Sequence, residues 1–112
     1  MTTVFGKIIR GELPCEKVYE TENVFAFKDI APKAPIHILI IPKKEIPNLQ
    51  SVKPEDYPLI GEMIAVAQKL AKELKIEDGY RLLVNNGPKS GQAVDHLHFH
   101  LLGGKRLSHE LG

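Results

Sequence analysis

The sequence predicts an α+β domain in which one long helix covers a five-stranded, mostly antiparallel sheet. The long segment 54–76 repeats its apolar residues at the three- and four-residue spacing of an amphipathic helix. Short segments rich in β-branched and aromatic residues lie on both sides of it. The last two, 80–86 and 94–102, are joined by a short glycine-containing loop, which favours antiparallel pairing. Such a sheet buries one face against the helix.

The chain opens with a short helix and a pair of strands. The stretch "VFGKII" at 4–9 has the pattern of a short amphipathic helix, and a glycine and a proline follow soon afterwards. "KVYET" at 17–21 and "VFAFKD" at 24–29 are rich in strand-forming residues and flank the dipeptide Glu22-Asn23. We therefore expect two strands joined by a tight turn at that dipeptide.

The third strand is "IHILIIP" at 36–42, which follows a loop with two prolines at 29–35. An apolar run of this length predicts a central strand that is covered on both faces. Alternation places His37, Leu39 and Ile41 on the same face of that strand. A histidine therefore lies within an otherwise apolar strand.

The long helix is predicted to begin at Pro54, because proline suits the first helical position. Glu55 and Asp56 follow it and favour the positive end of the helix dipole. The apolar residues of the helix form one stripe: Leu59, Ile60, Met63, Ile64, Ala67, Leu70, Ala71 and Leu74. The stretch "EDG" at 77–79 ends the helix.

The last two strands carry the most unusual pattern of the chain. "YRLLVNN" at 80–86 is the fourth strand, "GPKSGQ" at 87–92 is the loop, and "VDHLHFHLL" at 94–102 is the fifth strand. Side chains alternate along a strand, so the leucines and phenylalanine of the fifth strand point into the core. The opposite face carries the histidine row, which consists of His96, His98 and His100.

The composition excludes several classes of function. A length of 112 residues fits a single domain that spans 1–112. A formal net charge of +1 gives no broad attraction to nucleic acid or to a membrane. Cys15 is the only cysteine, so no intrachain disulfide can form, and we expect a small, partly buried side chain. The sequence has no basic n-region and no long apolar run, which predicts a cytoplasmic protein.

Three interpretations of the histidine row compete. A solvated strand face is the weakest, because three histidines lie in phase beside a glycine loop. A metal site is stronger, since histidine is a common zinc ligand. His37 is the best candidate for a further ligand, because Asp95 points to the opposite face. A catalytic site is favoured, because a neutral imidazole is a good nucleophile near pH 7.

The loop before the histidine row supports the catalytic interpretation. The backbone N–H groups of "NNGPKSGQ" at 85–92 have the potential to surround phosphate oxygens. Asn85, Ser90 and Gln92 offer further hydrogen-bond donors. A phosphorus centre held by this loop would lie beside the imidazoles, where a histidine could attack it.

These residues resemble a known family. "HLHFHLL" resembles the His-x-His-x-His-φ-φ signature (φ is apolar) of the histidine triad (HIT) superfamily. "FGKIIRGELP" and "FAFKDIAPKAPIHILIIPKKEI" resemble its N-terminal opening and its nucleoside-binding region, and "GYRLLVNNG" and "GQAVDHLHFHLLGG" resemble its last two strands. The resemblance covers nearly the whole chain. The ending "HLLGG" is similar to the nucleotide-binding branch, the purine nucleoside phosphoramidases.

The resemblance implies a HIT-like fold, an activity and an assembly. The implied activity is hydrolysis of the P–N bond of purine nucleoside 5'-phosphoramidates, such as adenosine 5'-monophosphoramidate, with a purine nucleoside monophosphate as product. The implied assembly is a homodimer in which the long helix and the "RLLVNN" strand meet across a two-fold axis. No cofactor is expected to be required, and bound zinc would not be catalytic. Neither a nucleic acid nor a membrane is an expected partner.

The resemblance also assigns roles to residues. His98 matches the nucleophile that attacks the α-phosphorus and forms a nucleotidyl-histidine. His96 and His37 match residues that orient this nucleophile and fix its tautomer. His100 matches a phosphate contact near the leaving group, and Asp29 matches the carboxylate that holds the ribose hydroxyls. Other nucleotide-binding positions surround the base, the ribose or the phosphate: Phe5, Ile8, Phe27, Ile30, Leu39, Asn85, Gly91, Gln92, Ala93 and Val94.

Three features depart from the family pattern. Ala93 stands where many members carry serine, so one hydroxyl contact is missing. Asp95 stands where many carry an aromatic residue. The tail at 105–112 has no tryptophan, and we expect it, with His109, to be disordered or loosely docked. These departures concern the leaving group and the rate rather than the class of reaction.

Two other functions would use the same residues. One is hydrolysis of dinucleoside polyphosphates or acyl-adenylates by the same nucleophile. The other is a non-enzymatic module that binds a nucleotide or zinc.

Overall fold

The computed structural model describes residues 3–110 and confirms the predicted α+β fold. The strands are β1 (Lys17–Glu20), β2 (Val24–Lys28), β3 (Ile36–Pro42), β4 (Tyr80–Val84) and β5 (Phe99–Gly103). They form an antiparallel sheet in the order β1-β2-β3-β5-β4. The helices are α1 (Val4–Ile9) and α2 (Tyr57–Glu73). Short 3₁₀ turns lie at Leu49–Ser51, Pro54–Asp56 and Pro88–Ser90.

β3 is the central strand, as predicted, and both of its faces are covered. One face packs with α2 in the main core, which includes Ile38, Ile40, Met63 and Leu70. The opposite face forms a second apolar cluster, defined here as Phe5, Phe25, Phe27, Leu39 and Ile41. Phe5 comes from α1, so the short N-terminal helix covers the sheet face that also carries His37.

α2 begins at Tyr57, three residues after the predicted start at Pro54, which instead begins a 3₁₀ turn. The reason is Pro58, which has no backbone N–H. In a helix that started at Pro54, position 58 would have to donate a hydrogen bond to the preceding turn. Proline is tolerated only within the first turn, so the helix begins just before it.

The buried stripe of α2 differs from the predicted one at its edges. The buried residues are Met63, Val66, Ala67, Leu70 and Ala71. Ile64 and Leu74, which the prediction placed on the apolar stripe, are 43% and 38% exposed. Each residue turns the helix by about 100°, so the residue directly after Met63 faces away from the sheet. Val66 lies three residues after Met63 and four before Leu70, on the stripe itself.

β5 begins at Phe99, so the prediction of a strand from 94 to 102 was wrong for its first part. Phe99 pairs with Ile40, and the ladder between β3 and β5 ends there. Further along β3, Pro42 has no N–H with which to extend it. The N–H of Leu97 instead donates to the carbonyl of Ile46 at 2.7 Å. His96 and His98 therefore lie in the segment that leads into the strand, and only His100 lies within it.

The C-terminal tail is described as far as residue 110, and 111–112 lie outside the described residues. The Arg81 guanidinium of β4 donates a hydrogen bond to the carbonyl of Ser108. This bond ties the tail to the side chain of a β4 residue. Within residues 3–110, no helix has the length and apolar character that crossing a membrane requires.

Candidate active site

His98 is held in one tautomer by its own segment of the chain. Its Nδ1 lies 2.7 Å from the carbonyl oxygen of His96. A carbonyl can only accept a hydrogen bond, so Nδ1 carries the proton and Nε2 keeps its lone pair. The ring of Phe5 packs edge-on against the imidazole, with the centroids 4.9 Å apart. His98 is therefore a buried, oriented imidazole with an unprotonated Nε2.

The ring of His96 has a structural role, and only its carbonyl orients His98. Its Nε2 donates to the carbonyl of Pro42 at 2.8 Å, and its Nδ1 lies 3.4 Å from the hydroxyl of Thr3. The side chain is 1% exposed. The resemblance implied that His96 orients the nucleophile and fixes its tautomer, without saying which of its groups does so. The ring instead ties the segment before β5 to the end of β3 and to the start of α1.

His37 bonds to His100 rather than to His98. His37 Nε2 and His100 Nδ1 are 2.9 Å apart, and the same His37 nitrogen lies 3.4 Å from a carboxylate oxygen of Asp29. On the other side of the ring, the backbone N–H of Lys33 donates to His37 Nδ1 at 3.1 Å. His100 Nε2 is buried and has no hydrogen-bond partner among the described residues. The expected contact of His37 with the nucleophile is thus replaced by a contact with its neighbour.

All four imidazoles are neutral at neutral pH. Burial lowers the pKa of His37, and it also lowers the pKa of His96. Burial, followed by the charge of His96, lowers the pKa of His98. Burial, and then the charges of His98 and His37, lower the pKa of His100 to about 4. A neutral His98 keeps the lone pair that a nucleophile needs.

The apolar positions assigned to the nucleotide pocket come together, with one exception. Phe5, Phe27 and Leu39 belong to the second apolar cluster, and Ile8 and Val94 pack against it. Ile30 is 96% exposed and contributes nothing to this cluster. The adjacent Asp29 explains this, because its carboxylate accepts the N–H of Ala31 at 2.8 Å and turns the chain away from the sheet.

Gln92 organises the loop at 87–92 and has no donor left for a phosphate. Its Oε1 accepts the N–H of Gly87 at 2.7 Å. Its Nε2 donates to the carbonyls of Pro47 and Val94 at 2.8 and 2.9 Å. The hydroxyl of Ser90 likewise donates to the carbonyl of Gly87. The prediction that these two side chains supply phosphate donors is therefore wrong in this structure, because both are occupied within the loop.

The backbone of the same loop is also turned inward. The N–H groups of Ser90 and Gln92 donate to the carbonyl of Gly87, and that of Gly91 donates to Pro88. Among residues 3–110, the N–H groups of Ala93 and Val94 make no hydrogen bond. The half-buried side chain of Asn85 also makes no hydrogen bond within these residues. These groups, rather than those of 90–92, are the donors of this part of the chain that remain available to a ligand.

Asp29, His37 and His100 are the described residues that come nearest to a metal site. One ligand atom from each lies within 4.8 Å of the others. A metal on His37 Nε2 would require the proton to move to Nδ1, where the N–H of Lys33 already donates. The N–H of Lys33 and a protonated Nδ1 of His37 would then both be donors and would face each other. The hydrogen bonds around Asp29, His37 and His100 therefore do not fit a bound metal. Cys15 lies apart from these residues, packed on the second apolar cluster, and burial raises the pKa of its thiol.

Sequence reasoning missed two contributors to the site. Thr3 caps α1 by accepting the N–H of Gly6 at 3.0 Å, and its hydroxyl also faces His96. A threonine directly before an apolar helix is a recognisable capping signal. Lys33 contributes through its backbone, for which a sequence has no signal.

Comparison with known proteins identifies the family of the chain. The profile of the HIT domain matches residues 10–107. The chain belongs to the HIT domain family. An HIT-like protein of Chlamydia pneumoniae is 53% identical over 105 residues, which cover 94% of this chain and 96% of that protein.

Solved structures of HIT proteins share the fold over nearly their full length. The HIT family hydrolase from Legionella pneumophila superposes with a TM-score of 0.96 at 42% identity, covering 99% of this HIT chain and 100% of its own. The histidine triad nucleotide-binding protein from Candida albicans superposes with a TM-score of 0.81 at 37% identity. It covers 99% of this chain and 87% of its own.

Proposed function

We propose that this HIT protein is a hydrolase of purine nucleoside 5'-phosphoramidates that acts through a nucleotidyl-histidine on His98. The observation that carries the proposal is the His98 tautomer, since Nδ1 is tied to a carbonyl and Nε2 keeps its lone pair. The names of two structural relatives add support: one is called a hydrolase and the other a nucleotide-binding protein.

The reaction proceeds in two displacements at phosphorus. In the first, the lone pair of His98 Nε2 attacks the α-phosphorus, the P–N bond breaks, and the departing amine takes a proton from solvent. In the second, water attacks the same phosphorus, the P–Nε2 bond breaks, and the proton that water loses returns to solvent. One water is consumed, and one amine and one nucleoside monophosphate are released.

The neighbouring groups fit the other parts of such a substrate. In this proposal the phosphate accepts hydrogen bonds from the N–H groups of Ala93 and Val94 and from Asn85, which have no hydrogen-bond partner among residues 3–110. Asp29 receives the ribose hydroxyls, and the purine packs against the side of the second apolar cluster. Ile30, which is exposed on the loop at 29–35, contributes to the base site from that loop. No metal or other cofactor takes part, and a cytoplasmic location remains a prediction.

We further propose that the protein is a homodimer. β4 is an edge strand whose outer backbone groups have no partner strand among the described residues. On α2, a groove of about 540 Å³ has apolar walls that include Tyr57, Ile60 and Ile64. Tyr57 is 61% exposed. A second copy placed across a two-fold axis would cover these side chains and would extend the sheet through β4.

The test of the mechanism is to trap the intermediate. The protein is incubated with adenosine 5'-monophosphoramidate, quenched, digested and examined by mass spectrometry. We expect an adenylyl adduct on His98, and we expect His98→Asn to lose both the adduct and at least a thousandfold in kcat. His109→Asn is the matched control, because that histidine lies in the tail. An adduct on another residue, or full activity of His98→Asn, would contradict the proposal.

The alternatives differ from the proposal in what they turn over. Dinucleoside polyphosphate or acyl-adenylate hydrolysis predicts a higher kcat/KM on those substrates than on the phosphoramidate in the same preparation. A binding module predicts nucleotide affinity without turnover. Zinc in the purified protein at one equivalent per chain would favour a zinc-binding module.

A further inference from the structure

Two backbone groups of opposite hydrogen-bonding character contact the imidazoles of the site. The carbonyl of His96 accepts from His98 Nδ1 at 2.7 Å, and the N–H of Lys33 donates to His37 Nδ1 at 3.1 Å. A carbonyl can only accept, and an amide N–H can only donate. Each group therefore decides which nitrogen of its imidazole carries the proton.

The tautomer of His37 determines the tautomer of His100. Because Nδ1 of His37 accepts from Lys33, its proton must be on Nε2, which lies 2.9 Å from His100 Nδ1. His100 Nδ1 must then be the acceptor, so its proton is on Nε2. That N–H is buried, and it has no partner among the described residues. An unpartnered buried donor is costly, and a ligand acceptor is the simplest explanation for it.

The result is a pair of adjacent rings in opposite tautomers. The centroids of His98 and His100 are 5.0 Å apart. His98 presents an Nε2 lone pair, and His100 presents an Nε2–H. One ring is suited to attack phosphorus, and the other is suited to donate to an oxygen of the same phosphoryl group as negative charge builds up on it. In the other tautomer, the lone pair of His100 would repel that oxygen.

We propose that the backbone N–H of Lys33 is a positioning group that fixes His100 as a hydrogen-bond donor, with His37 as the relay. The catalytic consequence rests on the proposed function, whereas the tautomers do not. The loop that carries this N–H is well braced. Asp29 accepts the N–H of Ala31 at 2.8 Å, which fixes the turn at the start of the loop. Pro32 and Pro35 further restrict the backbone on either side.

The first test reads the tautomers directly in the wild-type protein. Long-range ¹H–¹⁵N correlation spectra of histidine-labelled protein at pH 7.5 distinguish a protonated Nδ1 from a protonated Nε2. We expect His98 to carry its proton on Nδ1, and His37 and His100 to carry theirs on Nε2. A His100 proton found on Nδ1 would overturn the proposal.

The second test removes the N–H of Lys33. Lys33→Pro has no amide hydrogen, and an ester bond at the same position, introduced with an α-hydroxy acid, removes it without adding a ring. Lys33→Ala is the matched control, since it loses the side chain and keeps the N–H. In the proline and ester variants we expect the signals of His37 and His100 to show mixed tautomers. The His98 proton should remain on Nδ1. We expect Lys33→Ala to keep the wild-type tautomers.

The activity of the same variants gives the catalytic consequence. Loss of one donor to the transition state should lower kcat by about 10- to 1000-fold, with a smaller change in KM. Wild-type tautomers in both the proline and the ester variant would overturn the proposal. The predicted tautomers in a protein with no phosphoramidate turnover would instead overturn the proposed function and leave the positioning by Lys33 supported.

Discussion

At the scale of single residues, the histidines of one short segment divide into different roles. His96 is the most deeply buried, at 1% exposed, and its ring bonds to the carbonyl of Pro42. What orients His98 is the carbonyl of residue 96, which any residue at that position would provide. The side chain at 96 should therefore matter more for stability than for the tautomer of the nucleophile.

His96→Leu tests this division of roles. Removing the ring leaves the Pro42 carbonyl unpaired in the interior, which should lower the free energy of unfolding by about 1–3 kcal/mol. Urea denaturation measures this loss, and the ¹⁵N spectrum should still show the His98 proton on Nδ1. A His98 that changed tautomer in the folded variant would show that the ring itself orients the nucleophile.

The sequence predicts which histidines share the site, but not how they are bonded. Alternation and phase are properties of side-chain order, so the row and the contribution of His37 can be inferred from the letters alone. The partners that set the tautomers are backbone groups of Lys33 and His96, and every residue other than proline carries those groups. Their positions depend on the path of the chain, and that path appears only in three dimensions.

At the scale of elements, the loop before the site is held together by one buried amide. Gln92 joins the start of the loop at Gly87 to its end at Val94 and to the separate segment at Pro47. The sequence predicts a glycine loop here, and glycine is indeed needed, because Gly87 and Gly91 have φ of 84° and 94°. It does not predict that the polar side chains of the loop face inward.

Gln92→Leu should cost stability through the groups that it leaves unpaired. One N–H and two carbonyls lose their partner in partly buried positions, so we expect a loss of about 1–3 kcal/mol in the free energy of unfolding. Denaturant titration measures it. Lys89→Ala, an exposed change in the same loop, is the control and should stay within about 0.5 kcal/mol of wild type. Equal stability of both variants would show that the amide does not hold the loop.

The boundaries of the strands and of α2 were less predictable than their existence. The periodicity of 54–76 and the apolar run at 36–42 identify the main helix and the central strand. Prolines decide where both the helix and the last strand begin, since Pro58 sets the start of α2 and Pro42 limits the partner of β5. The second effect acts across the sheet, between residues distant in sequence, and inspection of the fifth strand alone does not reveal it.

At the scale of the whole molecule, the buried neutral histidines make stability depend on pH. The pKa of His100 falls from 6.5 to about 4 on folding, so the unfolded chain binds more protons between these values. The free energy of unfolding must therefore fall as the pH falls through this range, and it levels off below the folded pKa.

Urea denaturation between pH 7.5 and pH 5 checks this dependence. His100 alone should account for about 2 kcal/mol of lost stability at pH 5, because pH 5 lies about 1.5 units below its unfolded pKa and still above its folded pKa. His100→Gln should show a correspondingly shallower dependence. If the free energy of unfolding of His100→Gln fell with pH as steeply as that of the wild type, His100 would not be a neutral imidazole with a lowered pKa in the folded protein.

The proposed dimer can be tested on the exposed side of α2. Ile64→Glu places a charge in the apolar groove, and we expect light scattering to show a monomer with unchanged far-ultraviolet circular dichroism. Lys69→Glu places a negative charge on the same helix, about 140° around the axis from Ile64 and away from the groove, and should remain dimeric. A wild-type protein that is monomeric at high micromolar concentration would contradict the dimer.

The strand order β1-β2-β3-β5-β4 also has a consequence for the order of events in folding. β1, β2 and β3 follow one another through the short connections 21–23 and 29–35, and β4 and β5 follow one another through the loop at 85–98, so each group can form before the two groups meet. Only the seam between β3 and β5 requires closure of a long stretch of chain, and the bond between His37 and His100 spans that seam. The imidazole pair should thus be among the last features to form in folding, and its NMR signals would serve as a marker of the fully native chain.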